Sequence, residues 1–163
     1  RKTVKNLPDW YLNTPVNEGF KYQAAEATSQ SMQLGVDKAR VAAVSNLSQM
    51  IKSEWNGYTK RVQEETGMGS DSKLLDQFSS TQENVISNQL EGIIVKNKDI
   101  QVEKSDGTRI YRVFVLVEFD ENAANEKLLA QIKADQQLYD AIRASELVDE
   151  MEQKVEAYRE RNR

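Results

Sequence analysis

Glu64-Glu65 and the run Glu118-x-Asp120-Glu121 are the two places where this chain gathers carboxylates closely enough to do chemistry. Paired carboxylates can cleave a glycosidic bond or hold a hard cation such as calcium. Neither cluster has the flanking pattern of a catalytic pair or a calcium loop. The reading favoured is solubility at strand ends and negative charge at a helix N-terminus, where it complements the dipole. Most of the usual catalytic equipment is missing, because the chain contains no histidine and no cysteine. That excludes imidazole catalysis, a thiolate nucleophile, a Cys/His zinc site and any disulfide. Gly67-Met68-Gly69-Ser70-Asp71-Ser72 superficially suggests a phosphate cradle but lacks the Gly-x4-Gly-Lys-Ser/Thr pattern. It reads as a turn in which Asp71 or Ser72 caps the next helix. Arg109 and Arg112 flank Tyr111 on a strand pattern with no wider basic patch, which argues against a nucleic-acid face. No catalytic, cofactor-binding or metal-binding residue is assigned, and the expectation is a protein that is not an enzyme.

The elements that would position any site follow from patterning. At 163 residues the chain fits one ordinary domain. A mean hydropathy of -0.70 is polar for such a domain and suggests an arm, an exposed helix or surface awaiting a partner. The net charge of -4 and pI near 5.1 argue against nucleic acid as the main ligand. The longest apolar run, Val113-Phe114-Val115-Leu116-Val117, has strand length, far short of a membrane helix. The chain begins at Arg1 rather than Met, so processing is expected, with any leader or lipid-anchoring cysteine upstream.

Residues 1–17 read as an N-terminal arm, broken by Pro8 and Pro15, with Trp10 and Tyr11 as its docking group. Residues 19–24 alternate as a strand. A helix follows from Ser29 or Ser31, carrying Val36, Ala39, Ala43, Leu47 and Met50 on one face. For residues 52–65, the β propensity of Trp55, Tyr58, Thr59 and Val62 predicts a long polar strand, with Gly57 at a bulge. A second helix spans 72–90, with Leu74, Phe78, Thr81, Val85 and Gln89 in a stripe and Gly92 at its end. Then come a strand over 93–102, an Asp106-Gly107 hairpin turn and a strand over 109–119. On that last strand the odd positions are uniformly apolar, whereas the even positions mix Arg112 and Glu118 with Phe114 and Leu116. Both faces therefore need cover. Asp120 or Asn122 caps a long C-terminal helix, with a break or kink expected at Ala144-Ser145.

The expected fold is α+β, in the order β-α-β-α-β-β-α, with an antiparallel sheet covered by helices on one face and a long C-terminal helix. The expected organisation is an arm over 1–17, a domain over 18–143 and a projecting helix over 144–163. The surplus of apolar surface points to self-association. Trp10, Tyr11, Trp55 and Tyr58 are the expected aromatic interface anchors, joined by Val148, Met151, Val155 and Tyr158 on the final helix.

Three blocks, taken in order, resemble a known family. They are Leu7-Pro8-Asp9-Trp10-Tyr11 followed by Asp37-Lys38-Ala39-Arg40-Val41-Ala42-Ala43 and Asn46-Leu47; Val85-Ile86-Ser87-Asn88-Gln89-Leu90-Glu91-Gly92-Ile93; and Tyr111-Arg112-Val113-Phe114-Val115-Leu116-Val117 leading to Leu128-Leu129 and Ile132. The set is similar to the small outer-membrane lipoproteins typified by a Helicobacter surface lipoprotein, a family that includes the lipoprotein of the polar flagellar basal disk. The resemblance covers about residues 7–143. It implies an exported, lipid-anchored bacterial envelope protein without enzymatic activity or cofactor, which self-associates into a structural assembly. The chain departs from that pattern in lacking the anchor cysteine. The alternatives are a module binding peptidoglycan or another glycan, and a virion-type structural subunit.

Overall fold

A computed structural model describes residues 6–162. The fold is α+β, with a three-stranded antiparallel sheet and helices before, between and after the strands. The elements are α1 (Asp9–Leu12), β1 (Phe20–Ser29), α2 (Met32–Thr66), α3 (Lys73–Glu91), β2 (Val95–Ser105), β3 (Thr108–Asp120), α4 (Glu121–Ala134), α5 (Gln136–Ile142) and α6 (Glu146–Arg161). The chain divides into two units. One comprises Arg1–Ser48 and Gly92–Phe119; the other comprises Gln49–Glu91 and Asp120–Arg163.

In the first unit the sheet order is β1-β3-β2, so the apolar strand β3 is central. Asp106 and Gly107 form the β2–β3 hairpin turn, both with positive φ (52° and 76°), as a primed two-residue turn requires. That turn sets the pairing from Ser105↔Thr108 to Asn97↔Leu116, and a bulge falls between Val95 and Asn97. Val113, Phe114, Val115, Leu116 and Val117 are all fully buried. The strand is thus covered on both faces, and within this one chain. Helix α2 starts at the cap Ser31, whose Oγ accepts from Leu34 N (3.3 Å). It brings Gly35, Ala39, Ala43 and Leu47 into burial at intervals of four. A β-carbon at Gly35 would lie 2.9 Å from Val113 Cγ2, so this glycine is what lets helix and strand meet so closely. On the even face of the sheet the Tyr11 ring stands edge-on to Phe114, with centroids 4.9 Å apart.

In the second unit, Ser72 Oγ accepts from Leu75 N (3.4 Å) at the start of α3. Helix α3 buries Leu75, Phe78, Gln82, Val85 and Ile86. Helix α4 packs against α3, α5 and α6. Asp120 caps it, accepting from Ala123 N (3.0 Å). The C-terminal segment is three helices, interrupted at Asp135 and again over residues 143–145. The break expected at Ala144-Ser145 is therefore present, with Ser145 as the next cap.

Several expectations are corrected. Residues 52–65 are not a strand but the second half of α2. Trp55, Tyr58, Thr59 and Val62 fall at i, i+3, i+4 and i+7, a helical face, and their periodicity outweighs their β propensity. Gly57 is an ordinary helical position with open space around it. Helix α6 does not project, because Leu147, Val148, Met151 and Val155 are buried. The even face of β3 needs no second chain, since the arm of the same chain covers Phe114.

Candidate functional site

Two rows of charged and polar side chains cross the even face of the sheet in the first unit. In one, Arg112 on the central strand donates from Nη1 to Glu26 on β1 (2.6 Å) and from Nε to Glu103 on β2 (2.8 Å). In the other, Glu118 on β3 accepts from Tyr22 Oη on β1 (2.6 Å) and from Lys96 Nζ on β2 (2.5 Å). Asn17 from the arm donates to Tyr22 Oη (2.7 Å). Between the rows lies Phe114, with Tyr11 upon it. The arm is held at its start too, where Gln101 Nε2 donates to the Asn6 carbonyl (3.3 Å).

Arg112 in one row and Lys96 and Glu118 in the other are shifted toward their ionised forms. Hydrogen bonds from Arg112 to Glu103 and Glu26 raise the guanidinium pKa against a smaller cost of burial. For Glu118, burial pushes the carboxyl up. The hydrogen bonds from Lys96 and Tyr22 and the ammonium charge together outweigh it, and the pKa lies below the usual carboxylate value. Burial, and then Glu26, raise the Tyr11 phenol. These contacts tie the arm and the three strands together.

The first unit also leaves apolar side chains uncovered. Leu12, Val16, Met32, Leu34, Val41, Ile94 and Val102 are the exposed large hydrophobics among the described residues, and every one belongs to this unit. Leu34 and Val41 lie seven residues apart, hence on one face of α2. With Ala42 they line an open groove of about 520 Å3, bordered by Asp37, Lys38 and Ser45.

The second unit holds the largest ionic cluster. Arg61 on α2 donates to both Glu150 oxygens on α6 (2.7 Å each) and through Nε to Glu65 (3.2 Å). The other Glu65 oxygen accepts from Ser145 Oγ (2.6 Å) and from Glu146 N (3.0 Å). Glu65 therefore serves the N-terminus of α6 together with Ser145. The Ser145 hydroxyl is foremost in lowering the Glu65 pKa, and Arg61 is foremost for Glu150. This explains one of the two sequence clusters: Glu65 is structural. In the other, Asp120 is a helix cap and Glu118 a cross-strand partner.

The residues expected to anchor an interface are scattered. Tyr11 is half-buried against Phe114, and Trp10 is half-buried with its ring edge-on to Tyr11. Trp55 is 1% exposed, and Val148, Met151 and Val155 are at most 3% exposed. These four are core residues, spent inside the chain, and cannot anchor a partner. Tyr58 and Tyr158 are half-buried. Burial, then Glu121 and Glu54, push the Tyr58 phenol well up, keeping it neutral. The exposed positions Leu34 and Val41 were missed, although the i, i+7 spacing on the polar side of the Ala39/Ala43 stripe is visible in the sequence. No group of carboxylates able to hold a metal ion occurs among the described residues. No helix among them is long and apolar enough to cross a membrane. No protein-family model, no curated protein and no solved structure matches the chain.

Proposed function

We propose that this protein is a non-enzymatic assembly module of the bacterial cell envelope, acting by self-association through its first unit. The observation that carries the reading is the uneven distribution of exposed apolar side chains. All seven large ones belong to the unit built on the sheet, and Leu34 with Val41 forms a helix face bordered by an open groove. An exposed apolar helix face of this kind favours a protein contact. The envelope placement and the lipid-anchored outer-membrane or flagellar setting are supported by the resemblance of the three sequence blocks.

Light scattering over a concentration series tests the assembly. The expected result is a mass that rises above 18.6 kDa with concentration; a mass that stays at that value counts against the proposal. The second reading is capture of peptidoglycan or another glycan, for which tryptophans exposed in a groove would supply the flat apolar faces. Trp55 is buried and Trp10 half-buried, so the geometry favours assembly. Sedimentation with insoluble peptidoglycan separates the two readings, and co-sedimentation of a monomeric protein would favour the glycan.

A further inference from the structure

In the second unit, α2 and α3 face each other through matched stripes. Lys52, Trp55 and Asn56 on one helix meet Ser79, Gln82 and Ile86 on the other, each set at i, i+3 or i+4 and beyond. Such a seam between helices is ordinarily filled with apolar side chains. Here a partly open cavity of about 50 Å3 remains, room enough for a small molecule.

Two of its lining residues are buried polar groups with a donor left over. Trp55 is 1% exposed and Gln82 is 2% exposed, and neither Trp55 Nε1 nor Gln82 Nε2 has a hydrogen-bond partner in the protein. The amide is oriented, because Thr59 Oγ1 donates to Gln82 Oε1 (2.8 Å) and so leaves the NH2 as the free end. Burying a donor without an acceptor sacrifices its hydration. An apolar pair at these positions would avoid that loss, so the seam is not arranged for stability alone.

We propose that this cavity binds one small planar oxygen acceptor, a carboxylate or an amide carbonyl, held by Trp55 Nε1–H and Gln82 NH2 over the Ile86 side chain. The chemistry follows from what lines the space. Both unsatisfied groups are donors, and the Gln82 oxygen is already engaged, so the two buried polar residues present donors to an acceptor. At the rim Lys52 and Glu83 are exposed and opposite in sign, so they impose no net charge on the occupant. The volume suits a formate- or acetate-sized group. This site is independent of the proposed assembly surface, which lies in the other unit.

The indole N–H resonances report directly. In the Trp10→Phe variant, the one remaining indole signal, from Trp55, is followed in 1H–15N spectra while acetate and acetamide are titrated separately at constant ionic strength. The expected result is a saturable shift of that signal with at least one of them. Saturation by acetate alone assigns a carboxylate, by acetamide alone an amide carbonyl. The Gln82→Leu substitution should weaken binding by about tenfold or more, the loss of one buried hydrogen bond. It should change the heat stability of the unliganded protein little, since removal of an unsatisfied buried donor offsets the lost hydrogen bond from Thr59. A merely structural glutamine would not show that pairing of weaker binding with little-changed stability. No saturable shift with either compound overturns the proposal, as does binding that Gln82→Leu leaves unchanged. The titration of the unaltered cavity decides the question even if that variant does not fold.

Discussion

Gly35 and Gly57 lie in the same helix, yet alanine should act on them in opposite directions. At Gly57 a methyl group meets nothing within 4 Å, so Gly57→Ala removes only the entropic cost of glycine in a helix. It should stabilise by about 0.5–1 kcal/mol. At Gly35 the methyl group would enter within 2.9 Å of Val113 Cγ2. Val113 is fully buried and β-branched, so it has little freedom to yield. Overpacking of about 1–3 kcal/mol should then match or exceed the helix gain, and Gly35→Ala should destabilise or at best be neutral. Chemical denaturation of the two variants side by side checks the contrast. The Tyr11–Phe114 contact is a second residue-scale test. Tyr11→Ala should cost about 1–3 kcal/mol, from an aromatic pair and its buried area together, and should expose the arm to protease. An unchanged denaturation midpoint would show that the arm contributes nothing to the fold.

At the scale of elements, the junction of α2 and α6 should make stability depend on acid pH. Glu65 and Glu150 both have pKa values lowered from the ordinary 4.5 in the folded protein, through Ser145 and Arg61 respectively. A lowered folded value means the unfolded chain binds protons first as the pH falls. The stabilisation is therefore complete above about pH 4.5 and is lost as the pH drops through the folded values below it. Glu118 adds to the same limb from the first unit. Replacing Arg61 by Met should flatten this acid limb, measured as the unfolding midpoint against pH between neutrality and strong acid. An acid limb identical to that of the unaltered protein would contradict it.

The same junction shows what the sequence could and could not reveal about elements. The β2–β3 hairpin was legible because Asp106-Gly107 accepts positive φ at both positions, and each helix cap was legible to within two candidates, short polar residues ahead of periodic runs, of which Ser31, Ser72 and Asp120 make the bond. Residues 52–65 were misread because propensity was weighed above spacing. Trp55 and Tyr58 favour strands in isolation, but tertiary burial along i, i+3, i+4 and i+7 decides the outcome. The packing of α6 was hidden for a different reason. A stripe such as Val148, Met151 and Val155 shows that a face will be buried without showing what buries it, and α4 turned out to be the partner. The Trp55–Gln82 cavity lies beyond sequence reasoning altogether, since it depends on which donors two facing helices leave over.

For the whole molecule, the surface left for assembly is not the one that the sequence suggests. The sequence suggested more apolar surface than one protomer could hide, yet the chain covers both faces of β3 and the α6 stripe by itself. What it does not cover is the set of exposed side chains of the first unit, and these carry the proposed self-association. The two candidate surfaces can be set against each other by light scattering of Val41→Glu, in the exposed helix face, beside Tyr158→Gln, on the helix that sequence alone had favoured. The account predicts that the unaltered protein and Tyr158→Gln share a mass above 18.6 kDa, whereas Val41→Glu falls to that monomer value. If Val41→Glu keeps the mass of the unaltered protein, or if the unaltered protein is monomeric at every concentration, the assembly role is contradicted.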